Sequence, residues 1–246
     1  MTNGPVPDRA LLPVALAVAT SHEAQIVERA LRAADVGLKS PVSSFEVVGV
    51  GVGCSDLDSN RLAEGYTAII STGFAGALEP GIESGTVLFP EDVKKTDNST
   101  YNVNSDLQEL IEKNLHSDIA PTDIARGSLL HTDSLLATTR QKQRAREDSQ
   151  CIACDMESAT LAATAMLGGR SFACLRVILD PADTKIPDPI VELTDLHTNP
   201  TAAAFLIAVL RHPRQIPSTA AFLWHTFKAS RALSRSVTKL VEGCCE

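Results

Sequence analysis

The sequence predicts an α/β protein of three layers: a mostly parallel central sheet, helices on both of its faces, and a C-terminal helical extension. Three observations predict it. Short apolar runs alternate with segments of helical length and spacing, the pattern of strands joined by crossover helices. Acids or glycines follow four of those runs, at Thr20–Glu23, Ser71–Gly76, Asp155–Glu157 and Asp180–Asp183. In open α/β sheets the ligand sits beyond the carboxyl ends of the strands, so these are the positions to inspect. Finally, 246 residues with no internal repeat and no low-complexity linker suit one domain, residues 1–246.

The elements follow in order. Residues 1–8 read as a frayed leader. PVALAVAT (13–20) is a first strand, and SHEAQIVERALRAA after it a helix. FEVVGVGVG (45–53) is a second strand, followed by a helix around Asp56–Glu64. TAIISTGFAGAL is an apolar strand that breaks into a glycine-containing loop, and GTVLFPEDV (85–93) is another strand, with a helix near Ser105–Leu115. In the second half GSLLHTDSLLAT gives a strand and loop, IACDMESATLAATAM a strand turning into an Ala-rich helix, and SFACLRVILD a strand. A helical appendage begins near Pro200 and runs to about residue 241.

Composition excludes several classes. Apolar residues at 44% and charged residues at 21% are those of a globular chain. Aromatics at only 4% leave the core to Ala, Val, Leu and Ile. A net charge of −8 argues against a nucleic-acid partner. The charge is uneven: residues 196–246 hold six Lys/Arg and two acids, leaving −12 for residues 1–195. The apolar stretch Leu11–Ala19 is too short to span a bilayer and lacks a cationic n-region and a clear cleavage site, so it reads as a buried strand and the expected compartment is the cytoplasm. Six cysteines form no disulfide-scaffold pattern; Cys151 and Cys154 lack a second ligand pair and read as small buried hydrophobes, so no metal site is expected.

The most specific segment is CDMES (154–158), followed after a helix and a strand by RVILDPAD (176–183). With STGFAGALEPG (71–81), this order of motifs resembles the nucleoside phosphorylase/nucleosidase superfamily, over roughly residues 13–183. AGALEP, DPAD and LRHPRQIP (210–217) are similar to the adenosylhopane nucleosidase/phosphorylase branch of hopanoid biosynthesis, which extends the resemblance over nearly the whole chain.

What the resemblance implies is cleavage of the N-glycosidic bond of a 5′-substituted adenosine, most closely adenosylhopane, to adenine and a ribosyl lipid. Asp180 matches the family's general acid for the purine N7. A carboxyl that stays protonated near neutrality needs apolar surroundings, and Ile178, Leu179 and Pro181 provide them. An Asp-Pro pair also fits a simple turn cap. Glu157 matches the residue that holds the ribose hydroxyls, with Met156 packing under the sugar; it fits equally as a first-turn acid at a helix N-terminus. Glu23 matches the glutamate that deprotonates attacking water, while Thr20-Ser-His-Glu23 also fits a capping box. His22 has no matching role. Ser71, Ala75 and Gly76 offer backbone that approaches a ligand closely. Phe74 stands where a small polar residue is frequent, and either shapes the pocket or packs inward. Leu135 and Leu136 fall where the family sandwiches the base, and fit the core as well.

Phosphorolytic relatives bring arginines to the phosphate after the first strand and near the glycine loop; TSHEAQ and IISTGFAG have none. Water is the expected nucleophile, with phosphate kept as an alternative co-substrate and no cofactor implied. A methylthioadenosine or adenosylhomocysteine nucleosidase and a silent nucleoside-binding protein are the competing readings. In the tail, Lys228, Arg231, Arg235 and Lys239 recur at helical spacing. The stripe suits an anionic membrane presenting a lipid-linked nucleoside at the inner face; the same helix suits packing on the domain or on a second subunit. Relatives imply a homo-oligomer.

Overall fold

The computed structural model describes residues 13–35, 45–116, 120, 123–195 and 202–244. The expected leader, the start of the appendage near Pro200, and Cys245 lie outside these.

One eight-stranded sheet organises the chain. Strand β1 (Val14–Val18) pairs in parallel with β2 (Phe45–Gly49) on one side and β3 (Ala68–Ala77) on the other. β3 pairs in parallel with β8 (Ser171–Asp180) and antiparallel with the short β7 (Ala153–Asp155). β7 continues in parallel to β6 (Ile124–His131), which runs parallel to β4 (Val87–Lys95). β4 then meets both β8 and β5 (Thr100–Asn102) antiparallel. The pairings β3–β8–β4–β6–β7–β3 therefore close on themselves, curling one half of the sheet while β1 and β2 extend the other.

Alternation along the strands divides the core between two faces. From β1, Ala15 and Ala17 join one cluster with Leu62, Ala159 and Leu161 of α2 (Ser59–Gly65) and α5 (Ser158–Leu167). Leu16 and Val18 join the other, with Val27 of α1 (Ser21–Asp35), Ile111 of α3 (Ser105–His116) and Leu233 of α8 (Ile216–Cys244). β8 does the same, sending Phe172, Cys174 and Ile178 to the first cluster and Ala173, Leu175 and Val177 to the second. Helices thus cover both faces of a mostly parallel sheet.

The structure corrects several expectations. Ser71–Gly76 is not a loop. β3 runs unbroken to Ala77 because β8 pairs with it along its length, with a register shift between Ala75 and Gly76 that sets Gly76 opposite Asp180. β2 ends at Gly49, and Val52–Cys54 form a 3-10 turn; Gly51 (φ 74°), which caps it, and Gly53 (φ 62°), inside it, take conformations that favour glycine. The helix expected from Asp56 starts at Ser59, because Asp58 accepts the Arg61 amide at 3.0 Å as its N-cap. Two helices have no counterpart in the sequence pattern: α4 (Thr139–Ser149), opened by a Thr138–Gln141 capping box, and α6 (Asp188–Asp195). α7 (Ala202–Arg211) precedes α8. α8 buries Phe222, Ala229, Leu233, Val237 and Leu240, the packing on the domain that is one of the two readings its sequence allows.

Candidate active site

The first turn of α1 brings Glu23 inward, 3% exposed. Its Oε2 accepts the Thr20 amide at 2.8 Å and the Thr20 hydroxyl at 2.9 Å, while the Glu23 amide donates back to Thr20 Oγ1 at 3.1 Å. That is the capping box. Oε1 faces the other way and accepts the Phe74 amide of β3 at 2.8 Å. The cap and the inward-facing carboxylate are therefore one side chain. Gly73 makes the approach possible: a Cβ there, at φ 150°, would stand 2.3 Å from Glu23 Oε1 and 2.9 Å from Arg176 Nη1.

Arg176, in the middle of β8 opposite Gly73, is the hub. It is 1% exposed, and its Nη2 lies 2.6 Å from Asp155, 2.7 Å from Ser71 Oγ, 3.2 Å from Ser158 Oγ and 3.5 Å from Glu157. Nη1 donates to the Phe74 carbonyl at 3.3 Å. Burial works against the charged guanidinium, but Asp155, Cys174, Glu157 and Glu23 outweigh it and hold its proton more tightly than in free arginine. Arg176 is the first residue of RVILDPAD, but the sequence gives it no role. It sits inside an apolar strand, where only its isolation marks it.

Glu157 ends the turn between β7 and α5. Its Oε1 accepts the Gly53 amide at 3.0 Å, which ties the β2 turn to the site. Desolvation pushes its carboxyl above the usual carboxylate range, with Arg176 pulling it down and Asp155 and Glu23 adding to the rise. Met156 is half-buried, its Cε 4.0 Å from where a Cβ on Gly53 would sit. Beside them His131 is buried, its Nδ1 4.0 Å from Asp155, and desolvation lowers its pKa so that the neutral ring is favoured.

Asp180 closes β8, 4% exposed and packed on Gly76, where a Cβ would lie 3.3 Å from its Oδ2. Burial pushes its carboxyl up to about 6, against the pull of the Lys142 ammonium that is ion-paired with it. Lys142, on α4, is a second buried cation of the site, and one that the sequence conceals. A lysine in the polar run TRQKQRARED gives no sign that it turns inward.

The remaining expected residues divide. Ser71 is fully buried between Arg176 and Ser158, with 3.0 Å between the two hydroxyl oxygens. It organises the hub. Ala75 is buried in the first core cluster. The Phe74 side chain packs against the second cluster and the His22 ring, at 6.3 Å, so its contribution to the site is its backbone. Leu136 packs on Leu78, Leu130, Cys151 and Cys154, and Leu135 beside it is half-buried in the loop before α4. Glu23 thus meets β3 at Phe74 and Asp180 meets it at Gly76, while Glu157 is linked to Phe74 through Arg176. Among the described residues no group of three or more His, Cys, Asp and Glu side chains is arranged to hold a metal ion. A groove of about 560 Å³, lined by none of Glu23, Glu157 and Asp180, lies between residues 81–87 and Trp224, Phe227, Lys228, Arg231 and Arg235 of α8, with Glu83 and Asp123 also on its walls.

Comparison with known proteins supplies the family. No curated protein matches the chain in sequence. Among solved structures, futalosine hydrolase of Helicobacter pylori aligns with a TM-score of 0.67 at 15% identity, covering 96% of this chain and 99% of that one. S-adenosylhomocysteine nucleosidase of Streptococcus pyogenes gives 0.67 at 17% identity, with 94% and 96% covered. The 5′-methylthioadenosine/S-adenosylhomocysteine nucleosidase of Neisseria meningitidis gives 0.64 at 16% identity, with 94% and 99% covered. They share the fold described above. The model of the phosphorylase superfamily matches residues 42–212, from the approach to β2 through β3, β7, β8 and α7. With well over half of its length matched, and the buried carboxylates lying inside the matched span or on the helix beside it, the chain belongs to the phosphorylase superfamily.

Proposed function

We propose that this protein cleaves the N-glycosidic bond of a 5′-substituted adenosine with water as nucleophile, and that the substrate is adenosylhopane, giving adenine and ribosylhopane. The observation that carries the reading is the set of three buried carboxylates along β3: Glu23 on the Phe74 amide, Asp180 against Gly76, and Glu157 joined to the strand through Arg176.

Each carboxylate has a step suited to its surroundings. Asp180, its pKa raised by burial, gives its proton to the purine N7 as the glycosidic electron pair moves onto the base. Glu157 accepts hydrogen bonds from the ribose hydroxyls and faces the positive charge developing on the sugar. Glu23 takes a proton from the water whose oxygen bonds to C1′. A carboxylate offers about four acceptor positions, and Glu23 spends three on Thr20 and Phe74. Arg176 and Lys142, the cations touching these acids, are committed to them, which favours water over phosphate.

Lipid linkage rests on the resemblance and on α8. Leu223, Trp224 and Phe227 are 46%, 61% and 51% exposed, the two rings stack at 5.6 Å, and Arg231 lies 5.8 Å over Phe227. Lys228, Arg231 and Arg235 are exposed along the same helix. Aromatic and cationic side chains side by side suit the interface of an anionic bilayer. Among the described residues no helix is long and apolar enough to cross a membrane, so the contact proposed is peripheral, at the cytoplasmic face. Met166 and Leu167, 67% and 85% exposed at the end of α5, are the surface a second copy would cover in a homo-oligomer.

Adenine release from detergent-dispersed adenosylhopane, with and without phosphate, tests the proposal. Release without phosphate is expected. Release only with phosphate would make the enzyme a phosphorylase and remove the role of Glu23. Release only from methylthioadenosine or adenosylhomocysteine would favour the second reading, which the fold shared with nucleosidases of those compounds supports.

A further inference from the structure

Lys142 is the one buried side chain of α4, 1% exposed in an otherwise polar helix. Burying an ammonium costs several kcal/mol unless its protons are all received, so a lysine persists in such a place only with a full set of acceptors. Lys142 has three protons and three acceptors: the Asp180 carboxylate, the Pro181 carbonyl at 2.7 Å and the Thr184 carbonyl at 2.9 Å. All three belong to the end of β8 and the turn that follows it. The Ile186 amide also donates to the Ala137 carbonyl at 2.9 Å, fastening that turn to the loop before α4.

An apolar residue would fill the same space without the desolvation cost. What the ammonium adds is a charge against Asp180. Other groups facing this acid do not supply one. The Cys154 thiol, across Gly76, is held neutral by burial. His225 of α8, beyond Lys142, is held neutral by burial and by Lys228. Asp183, on the same turn, is exposed and carries the opposite sign. A general acid walled off from water with no countercharge would be too weak to release its proton, because the carboxylate left behind would be stranded.

We propose that Lys142 is the positioning residue of the general acid: it aims Asp180 at the leaving base and supplies the countercharge for the carboxylate that Asp180 becomes. The inference rests on the proposed role of Asp180. The proton moves from Asp180 to the base and is later restored from solvent. Lys142 keeps its own proton throughout.

The test is the titration of the Asp180 carboxyl, followed by NMR on carboxyl-labelled protein and assigned through Asp180→Asn. It is read beside the pH profile of kcat/KM for adenine release. In Lys142→Met, with the ammonium gone and burial unchanged, the Asp180 midpoint is expected to rise by about one unit or more. The alkaline limb of kcat/KM should move up with it, and kcat at its optimum should fall at least ~10-fold from lost aim. Lys142→Arg keeps the charge and should hold the midpoint near that of the native protein while still lowering kcat. A folded Lys142→Met with an unmoved midpoint overturns the inference, whatever its activity. If the Met variant does not fold, Lys142→Arg decides: a native midpoint with reduced kcat supports the proposal, and unchanged kcat overturns it. The titration needs no turnover. A shifted midpoint in a protein that releases no base would refute the proposed function and leave the coupling of Lys142 to Asp180 in place.

Discussion

Glu23 and Phe74 are joined by a 2.8 Å hydrogen bond from the β3 amide to a carboxylate that also caps α1 at Thr20. One side chain therefore fixes the helix start and carries its second carboxylate oxygen to β3. The two duties separate by substitution. Glu23→Gln keeps an acceptor for one neighbour and removes the base, so turnover should drop by about 10²–10⁴-fold, while the one buried amide left unpaired lowers melting by only a few degrees. Gly73→Ala keeps the carboxylate but places a methyl 2.3 Å from it. Comparable loss of kcat with retained circular dichroism is expected. Activity within twofold of the native protein in either variant would remove Glu23 from the mechanism.

The proposed role of Asp180 as general acid predicts a pH dependence with a definite sign. Its carboxyl titrates near 6 in the folded protein, above the ordinary 3.8, because burial disfavours the anion. The protonated form is the proposed donor, so it is fully populated well below that value and is lost as pH rises through it. The expected profile of kcat/KM therefore falls tenfold per unit on the alkaline side of about 6. Asp180→Asn should lose about 10²–10⁴-fold in rate, abolish that limb, and still bind nucleoside. A limb that persists in the Asn variant would assign it to another group.

Much of this was legible in the sequence, and the exceptions share a cause. Asp180, Glu157 and Glu23 are acids placed directly after apolar runs, and their position relative to a strand end survives any error in boundaries. Ser71–Gly76 misled, because two glycines in six residues signal a turn. Here they serve close approach: Gly73 lets Glu23 and Arg176 reach β3, and Gly76 lets Asp180 lie against it. The burial and pairing of Arg176 and Lys142 were invisible for opposite reasons. One is a charge within an apolar run and the other a charge within a charged run, and only tertiary contact shows that both are buried and paired.

Removing Arg176 should cost stability before it costs chemistry. Arg176→Met leaves Asp155 and Glu157 buried without their shared cation. Breaking a buried pair from one side costs about 3–5 kcal/mol, and for a chain of this size a melting temperature lower by about 10 °C follows. Scanning calorimetry of the variant decides the matter. A change under about 2 °C would mean that the hub adjusts by protonating its acids, the direction in which Glu157 is already pushed.

The exposed stripe of α8 yields a prediction that leaves the active site untouched. Its first half presents Leu223, Trp224 and Phe227, and the next turns Lys228, Arg231 and Arg235. Lys239, which the sequence placed on the same stripe, is ion-paired with Glu242 at 2.9 Å and is half-buried. Neutralising Lys228, Arg231 and Arg235 together should weaken sedimentation with anionic vesicles by roughly 10²-fold, at about 1 kcal/mol for each charge near the surface. Replacing Trp224 and Phe227 with Ala should weaken binding to anionic and neutral vesicles alike, since that contribution is apolar. Lys239→Gln should change little. Added salt should erase the difference made by the charges but not that made by the rings, because only the former is screened. Vesicle binding unaffected by both sets of substitutions would leave α8 as a packing helix and return the lipid-linked substrate to a question of pocket chemistry alone.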